Sequence, residues 1–153
     1  MKKTIVALSG LFVLSACKSP DAPPAHSSGP TDEQLAAELW NSIQGYDNWD
    51  HFPGWDGWQE SDSVHGNWVM TFVNTTDTNF PPGSIIVKEG FKKKDPETLR
   101  AITVMQRIEG YSEETGDWLN VRFDQGGNVT KINSSCVRCH EDAAGGDFVF
   151  LND

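Results

Sequence analysis

Positive charge is scarce in this sequence. It has 12 lysines and arginines against 22 aspartates and glutamates in 153 residues, and its formal net charge at pH 7 is −10. Proteins that bind nucleic acids use cations to neutralise phosphates, so the composition argues against nucleic acid as a partner. An acidic surface is compatible with a basic redox protein as a partner.

Long hydrophobic runs are also scarce, and the clearest one lies close to the first residue. Lys2 and Lys3 precede an apolar run at residues 4–16 that ends in small residues, which is the pattern of a secretory signal peptide. The run is too short for a comfortable transmembrane helix. It ends in LSAC, which resembles the lipobox of bacterial lipoproteins. An ordinary signal peptide that happens to contain a cysteine is the alternative.

The lipobox predicts that residues 1–16 are removed and that Cys17 carries the lipid that holds the protein at a membrane. The residue after Cys17 is Lys18 and not an aspartate, which in enteric-type bacteria implies sorting of the lipoprotein to the outer membrane. We therefore expect a periplasm-facing protein at the outer membrane of a Gram-negative bacterium. Residues 17–30 would form the lipidated cysteine and a flexible tether, because they are rich in proline, serine and alanine. Residues 31–153 are then enough for one domain.

The domain contains no internal repeat, and its pattern predicts an α+β fold. Thr31 and Gln34 form a capping-box pattern, and Leu35, Leu39 and Ile43 recur at helical spacing. The segment at 47–60 is loop-like. Runs rich in β-branched and aromatic residues then predict strands at 64–74, 83–91, 101–111 and 117–123. Short connections favour a mainly antiparallel sheet. A few helices complete the prediction, one before the sheet and another around residues 136–140.

The fourth of these runs shows the clearest alternation. Leu119, Val121 and Phe123 alternate with Asn120 and Arg122. This alternation predicts a half-buried strand with one solvated face. The turn-like stretch DQGGN follows it.

Cysteine is the third scarce residue, with three in the chain. If Cys17 carries a lipid, Cys136 and Cys139 remain as a pair in the sequence CVRCH, residues 136–140. CxxCH is the attachment motif of c-type haem. The two thiols bond to one porphyrin, and His140 is placed to bind the iron as an axial ligand. We therefore predict one covalently attached haem c, because no second CxxCH is present.

Two other interpretations of the CVRCH segment are weaker. A redox-active CxxC disulfide would need a βαβ context, and the strand pattern does not provide one. Half of a zinc site would need a second cysteine pair or clustered histidines, and the sequence has neither.

Several stretches occur in the order typical of one known family. HGNWVMTFVN, PGSIIVKE, TVMQRIEGY, GDW, CVRCH and DFVF follow one another between residues 49 and 150. This arrangement resembles the cytochrome P-460 family, which includes the cytochromes c′-beta. The resemblance implies a haem packed on an antiparallel sheet, a five-coordinate iron, and often a homodimer. Known members oxidise hydroxylamine or bind nitric oxide and carbon monoxide.

The resemblance gives Lys88 a specific role. Lys88 matches the lysine that the P-460 enzymes join to a meso carbon of the haem. On a strand it would share a face with Ile86 and Gly90, and burial there would lower its pKa and favour a neutral, nucleophilic amine. A lysine whose stem is buried and whose ammonium reaches solvent is the alternative.

Two features of the enzymes are missing from this sequence. Their distal arginine lies on the strand that reads HGNWVMTFVN here, and this stretch contains no arginine. A carboxylate also assists their proton transfers, but Glu141, Asp142 and Asp147 all follow the haem motif and could simply be solvated. General acid–base help requires a group within hydrogen-bond reach of the substrate. Hydroxylamine oxidation is therefore in doubt, and nitric oxide binding is favoured.

The second axial position of the iron is the remaining question. Met70 or Met105 could fill it and make an electron-transfer cytochrome with His/Met ligation, although methionines more often fill core gaps. His65 or His51 could bind the iron instead, but both stand in loop-like stretches and are expected to be exposed. An open position in an apolar pocket is the leading expectation, with aromatic residues as candidates for its wall: Trp68, Phe72, Phe80 and Phe91.

The sequence therefore leads to two functional hypotheses. The first is a single-haem c-type protein with a five-coordinate iron that binds or oxidises a small nitrogen species, with His140, Cys136, Cys139 and Lys88 as its site residues. It would be an oxidoreductase acting on hydroxylamine or nitric oxide if it turns over. The second is a six-coordinate electron-transfer cytochrome. Both would exchange electrons with a redox partner protein.

Overall fold

The computed structural model describes residues 29–133, 135–143 and 147–150. The predicted signal peptide, Cys17 and most of the predicted tether lie outside these residues. Across the described ranges, no helix is both long and apolar enough to cross a membrane.

Within the described ranges, the fold consists of two helices and seven strands. The helices are α1 (Asp32–Ser42) and α2 (Ser135–His140). The strands are β1 (Asp50–His51), β2 (Gln59–Glu60), β3 (Trp68–Val73), β4 (Ile85–Phe91), β5 (Leu99–Arg107), β6 (Trp118–Phe123) and β7 (Val129–Ile132). Short 3₁₀ helices occur at Tyr46–Asn48, Pro96–Thr98 and Glu113–Thr115.

All seven strands belong to one sheet whose pairings are antiparallel. Strands β3 to β7 are neighbours in chain order, and β1 and β2 both pair with the outer edge of β3. This confirms the α+β prediction and the four predicted strands. Strand β7 was not predicted, because its residues are mostly exposed and its pattern does not alternate. It pairs with β6 across the turn that the DQGGN stretch predicted.

The register of β4 decides which residues meet on each side of the sheet. Ile85 and Val87 point to one face and Ile86 and Lys88 to the other, since successive side chains of a strand alternate. Lys88 lies opposite Thr71 on β3 and Thr103 on β5. The predicted face of Lys88 is thus confirmed.

Helix α1 covers the first face of the sheet. Its capping box is present, with the Thr31 hydroxyl accepting from the Gln34 backbone N–H and the Gln34 side chain accepting from the Thr31 N–H. Leu39 and Ile43 are buried against the sheet, and Leu35 is half-buried. Strand residues complete this core: Phe72, Ile85, Val87, Ile102, Val104, Leu119, Val121 and Phe123.

The second face is also covered, so the prediction of a half-solvated fourth strand was wrong. Asn120 is only 4% exposed, and its side-chain amide donates to the Trp118 carbonyl. Burial of a polar amide costs free energy unless it is hydrogen-bonded, and this bond offsets part of that cost. A second core lies on this face: Phe52, Val73, Phe80, Ile86, Met105, Trp118 and Val149.

Loss of the helix contact should destabilise the whole domain. Leu39 is 1% exposed, so Leu39→Ala should lower the free energy of unfolding by about 2–5 kcal/mol through lost burial and a cavity. Glu38→Ala, on the exposed side of the same helix, should change it by about 0.5 kcal/mol or less. Urea denaturation measures both. Equal effects of the two variants would contradict the packing described for α1.

Candidate haem site

A pocket lies on the second face of the sheet, under α2 and the segment that follows it. It encloses about 570 Å³ of empty space, part of it continuous with solvent. Strands β3 to β6 form its floor, and α2 and residues 149–150 form part of its wall. The residues that line it are Phe52, Trp55, His65, Thr71, Ile86, Lys88, Thr103, Val104, Met105, Asn120, Val121, Cys136, His140, Val149 and Phe150.

Helix α2 confirms the helix that was predicted around the CVRCH segment. Cys136 and His140 are one helical turn apart and both line the pocket. Cys139 is exposed and is not among the lining residues. Cys136 and Cys139 are not joined in a disulfide, so each is available for a thioether bond. Burial raises the pKa of the Cys136 thiol.

A hydrogen bond orients the His140 ring. His140 Nδ1 lies 2.6 Å from the backbone carbonyl oxygen of Phe148. A carbonyl can only accept, so Nδ1 carries the proton and donates. The Nε2 lone pair is then left for a metal, which is the arrangement that metal-binding histidines adopt. Burial lowers the pKa of His140, and this favours the neutral ring that a metal needs.

Lys88 lies on the floor of the pocket, and no carboxylate is found beside it among the described lining residues. Its Nζ atom is 4.9 Å from the ring centroid of Trp55, a cation–π contact. Burial lowers the pKa of Lys88 to about 8. Within the described ranges, the salt bridge observed joins Arg107 to Asp147 and does not involve Lys88. No ion pair among these residues therefore opposes the lowering of the Lys88 pKa.

His65 is a component of the pocket that the sequence did not predict. It was expected to be exposed, but its ring is half-buried and lines the pocket. Its Nδ1 is 3.1 Å from the Thr103 hydroxyl, and its ring centroid is 6.3 Å from that of His140. Burial, followed by the charge of Lys88, lowers the pKa of His65 to about 3. The Gly-rich sequence around His65 suggested a solvated loop, and only the folded sheet brings it inside.

His51 was also expected to be exposed, and this was wrong. Its ring is half-buried and stacks on Phe72, at a ring-centroid distance of 5.1 Å. It is not among the residues that line the pocket. His65 therefore lines the pocket and His51 does not, although both lie in stretches that the sequence predicted to be loops.

The two methionines proposed as iron ligands lie on opposite faces of the sheet. Met70 packs against the core beneath α1, so it is not in the pocket. Met105 lines the pocket and is 9% exposed, but it also packs in the second core with Phe52 and Ile86. The alternation of side chains along each strand puts the two methionines on different faces of the sheet. Met105 is therefore the methionine that remains a candidate ligand of the iron.

The aromatic wall differs from the one suggested by the sequence. Trp68, Phe72, Phe80 and Phe91 lie in the cores or near the sheet edge and do not line the pocket. Loop and C-terminal residues take their place: Phe52, Trp55 and Phe150. Three of the four expected residues lie on strands, whereas the three that line the pocket lie outside the strands.

No carboxylate or arginine is found among the described lining residues. Glu141 and Asp142 are exposed, as the sequence suggested. Asp147 does not reach the pocket lining, because it forms a 2.8 Å salt bridge with Arg107. The pocket thus has Lys88 as its cation and no acid, within the part of the chain that the structure describes.

The donors and the lining fit the haem that the CxxCH motif predicts. An axial histidine with a free Nε2, a thiol at the pocket wall and apolar rings are what a haem c requires. Two buried polar atoms of the lining, Trp55 Nε1 and Thr71 Oγ1, have no hydrogen-bond partner among the described residues. Buried polar groups are normally satisfied, so these atoms indicate that a bound group completes the pocket.

The lowered pKa of Lys88 predicts a pH dependence of stability. In the polypeptide purified without haem, the folded state releases this proton near pH 8 and the unfolded state near pH 10.5. The unfolded state binds more protons in that interval, so the Lys88 contribution to the free energy of unfolding rises with pH from about 8 to about 10.5. Lys88→Met should abolish that rise, as followed by urea denaturation across this range.

Lys92→Met is the matched control, because Lys92 is exposed near the end of the same strand. It should keep the wild-type pH dependence. The burial of Lys88 would be contradicted if the two variants showed the same slope.

The comparisons with known proteins agree with this site. The sequence model of the family described as Cytochrome P460 matches residues 43–151, which covers every residue that lines the pocket. No curated protein matched the chain. The match extends over most of the 153 residues and includes the sheet, the pocket and the CVRCH segment. The chain therefore belongs to the cytochrome P460 family of haem proteins.

Proposed function

We propose that this protein is a c-type cytochrome with one haem, whose iron has an open position for a small nitrogen ligand. Cys136 and Cys139 would carry the two thioether bonds, and His140 would be the axial ligand. The observation that carries the proposal is the hydrogen bond from His140 Nδ1 to the Phe148 carbonyl oxygen, 2.6 Å long. It holds the ring so that Nε2 is free within the pocket.

The packing of Met105 supports an open iron position. Met105 is surrounded by the second core, where it contacts the cluster of Ile86, Phe52 and Trp118. A methionine in such a core fills space, and this is its commonest role. Moving its sulfur to an iron would leave a cavity in the core, at a cost of roughly 2–5 kcal/mol if the side chain withdrew completely.

The bound haem would supply a redox-active iron with an exchangeable coordination position. The residues of the chain do the rest. His140 would hold the iron, and Phe52 and Trp55 would restrict the access of water. Lys88 offers N–H donors to a bound nitrogen or oxygen atom. No carboxylate is found among the described lining residues, so no acidic side chain is in place there to accept protons. This supports binding of nitric oxide over the proton-coupled oxidation of hydroxylamine.

Lys88 is also the proposed point of a further bond to the macrocycle. A lysine with a pKa of about 8 has a much larger neutral fraction than a solvated lysine at neutral pH. Joining Nζ to a meso carbon replaces an N–H and a C–H by an N–C bond and releases two protons and two electrons. An oxidant such as oxygen or peroxide must accept those electrons during maturation.

The cellular setting is a proposal from the sequence. The signal peptide at 1–16 and a lipid on Cys17 would place the domain on the periplasmic side of the outer membrane, with residues 18–30 as tether. A soluble redox protein would exchange electrons with the haem, and the acidic net charge of −10 favours a basic surface on it. A homodimer is a further proposal, implied by the family.

A second candidate function is electron transfer by a six-coordinate haem. Met105 favours it, since it is the methionine that lines the pocket. In that case the iron would bind both His140 and Met105, and added ligands would not displace the methionine readily.

Visible spectra of the matured full-length protein separate these two functions. An open iron should be high-spin in the ferric state, and the spectrum should change when nitric oxide is added. A low-spin spectrum that ignores added ligands, but becomes high-spin in Met105→Leu, would establish the electron-transfer function. Met70→Leu is the control, because Met70 lies on the opposite face of the sheet.

Intact mass and spectra also test the covalent bonds. Wild-type protein should carry one haem that resists extraction by acid and organic solvent. The triple variant Cys136→Ser, Cys139→Ser, Lys88→Ala lacks every proposed covalent bond to the haem and should release its haem completely. If Lys88 is joined to the macrocycle, a red-shifted Soret band should be present in the wild type and lost in both Lys88→Arg and Lys88→Ala. An unshifted wild-type band would show that the link does not form.

A further inference from the structure

Two buried hydrogen-bond donors of the pocket have no partner among the described residues. Thr71 is 1% exposed and Trp55 is half-buried, and both line the pocket. Trp55 Nε1 and Thr71 Oγ1 make no hydrogen bond within the described part of the chain. The indole N–H can only donate, and the hydroxyl has one proton to donate. Since buried polar groups are normally paired, these donors call for an acceptor on a bound group.

Backbone hydrogen bonds bring the two donors to one side of the pocket. The Phe52 N–H donates to the Thr71 carbonyl oxygen, 3.0 Å away, and the Trp55 N–H donates to the Phe52 carbonyl oxygen, 2.8 Å away. The loop that carries Trp55 is therefore fastened to β3 at Thr71. Lys88 lies opposite Thr71 on β4, and its Nζ is 4.9 Å from the ring centroid of Trp55. Strands β3 and β4 thus hold a group of donors.

Cys136 lies at the other side of the pocket floor. Its N–H donates to the Asn133 carbonyl oxygen, 2.9 Å away, and the Asn133 N–H donates to the Asn120 carbonyl oxygen on β6, 2.7 Å away. The start of α2 is also tied to β7, where Lys131 Nζ donates to Ser135 Oγ, 2.9 Å away. Cys136 is therefore anchored beside β6 and β7, at the far side from β3.

The width of the floor suits a macrocycle that lies across it. Strands β3, β4, β5 and β6 are successive neighbours. Neighbouring strands lie about 4.8 Å apart, so β3 and β6 are roughly 14 Å apart. A haem carries its two vinyl groups at one edge and its two propionates at the opposite edge, and it spans a similar width. If thioether bonds hold the vinyl edge at Cys136 and Cys139, the propionate edge points toward β3.

We propose that Thr71 and Trp55 form the binding site of one haem propionate, with Thr71 Oγ1–H and Trp55 Nε1–H donating to its carboxylate oxygens. This inference rests on the proposed attachment of one haem through Cys136 and Cys139. An ionised carboxylate has two oxygens that accept and no proton, so it matches a pair of donors. Hydrogen bonds to such an acceptor are also stronger than neutral ones.

The surroundings of the two donors favour an anion. The Lys88 ammonium lies on the same side of the pocket, and its charge attracts a carboxylate. No carboxylate is found among the described lining residues, so no acidic side chain there competes for the donors. The contact would also influence the iron. Hydrogen bonds disperse the negative charge of a propionate, which otherwise stabilises the ferric state, so the two donors would raise the reduction potential.

Resonance Raman spectra of the matured, full-length, ferric protein test the contact directly. The bending band of a haem propionate moves to lower frequency when a hydrogen bond to its carboxylate is lost. Thr71→Val and Trp55→Phe each remove one donor and keep most of the side-chain volume, so each should shift this band to lower frequency. Each should also lower the midpoint potential by roughly 30–60 mV, a three- to tenfold change in a one-electron equilibrium.

Conservative and distant variants serve as controls. Thr71→Ser keeps the hydroxyl and should restore the wild-type band and potential. Trp58→Phe is the matched control for Trp55→Phe, because Trp58 is half-buried against Phe91 and is not among the lining residues. It should leave the band and the potential unchanged.

Two results would overturn the inference. One is a wild-type band in both Thr71→Val and Trp55→Phe, and the other is a shift of equal size in Trp58→Phe. The two donors are tested by separate variants, so the test stands if one of them does not load haem. A low-spin wild-type protein would contradict the open iron position alone, because the propionate band is measured whether or not a sixth ligand is bound. A wild-type protein whose intact mass shows no haem would overturn both proposals.

Discussion

The structure depends on a sheet that is covered on both faces. Each central strand sends alternate side chains to α1 and to the pocket, so a shift of one residue in register would exchange the two sets. In β4 such a shift would place Ile85 and Val87 in the pocket and Lys88 in the core under α1. The hydrophobic core beneath α1 therefore fixes the place of the lysine, because misregister would bury its charge among aliphatic side chains.

The chemistry of the pocket follows from burial without a compensating acid. Desolvation is the largest cause of the lowered pKa values of Lys88, His65 and His140. All three are bases, so burial favours their neutral forms. A carboxylate in the lining would reverse this, and none is present among the described residues there. The pocket consequently holds two uncharged imidazole rings and, below a pH of about 8, the Lys88 cation within apolar walls.

Much of the fold was predictable from local pattern. The capping box of α1 and the four main strands have strong periodic signals, and these elements are confirmed. Strand β7 has no such signal, because it is short and its exposure does not alternate. The burial of Asn120 was also missed, since an amide in an alternating strand normally faces water. Its partner is the Trp118 carbonyl, and a cover over the second face cannot be deduced from β6 alone.

The sequence by itself determined the CxxCH motif, the strand that carries Lys88 and the family, because covalent attachment and alternation depend on residues close together in the chain. Only the tertiary structure decided what faces the pocket. It brought in His65, left out Met70 and replaced the expected aromatic wall with Phe52, Trp55 and other residues outside the strands. These choices depend on contacts between segments distant in sequence, and above all on the backbone approach at Gly90 that holds His65 on the sheet.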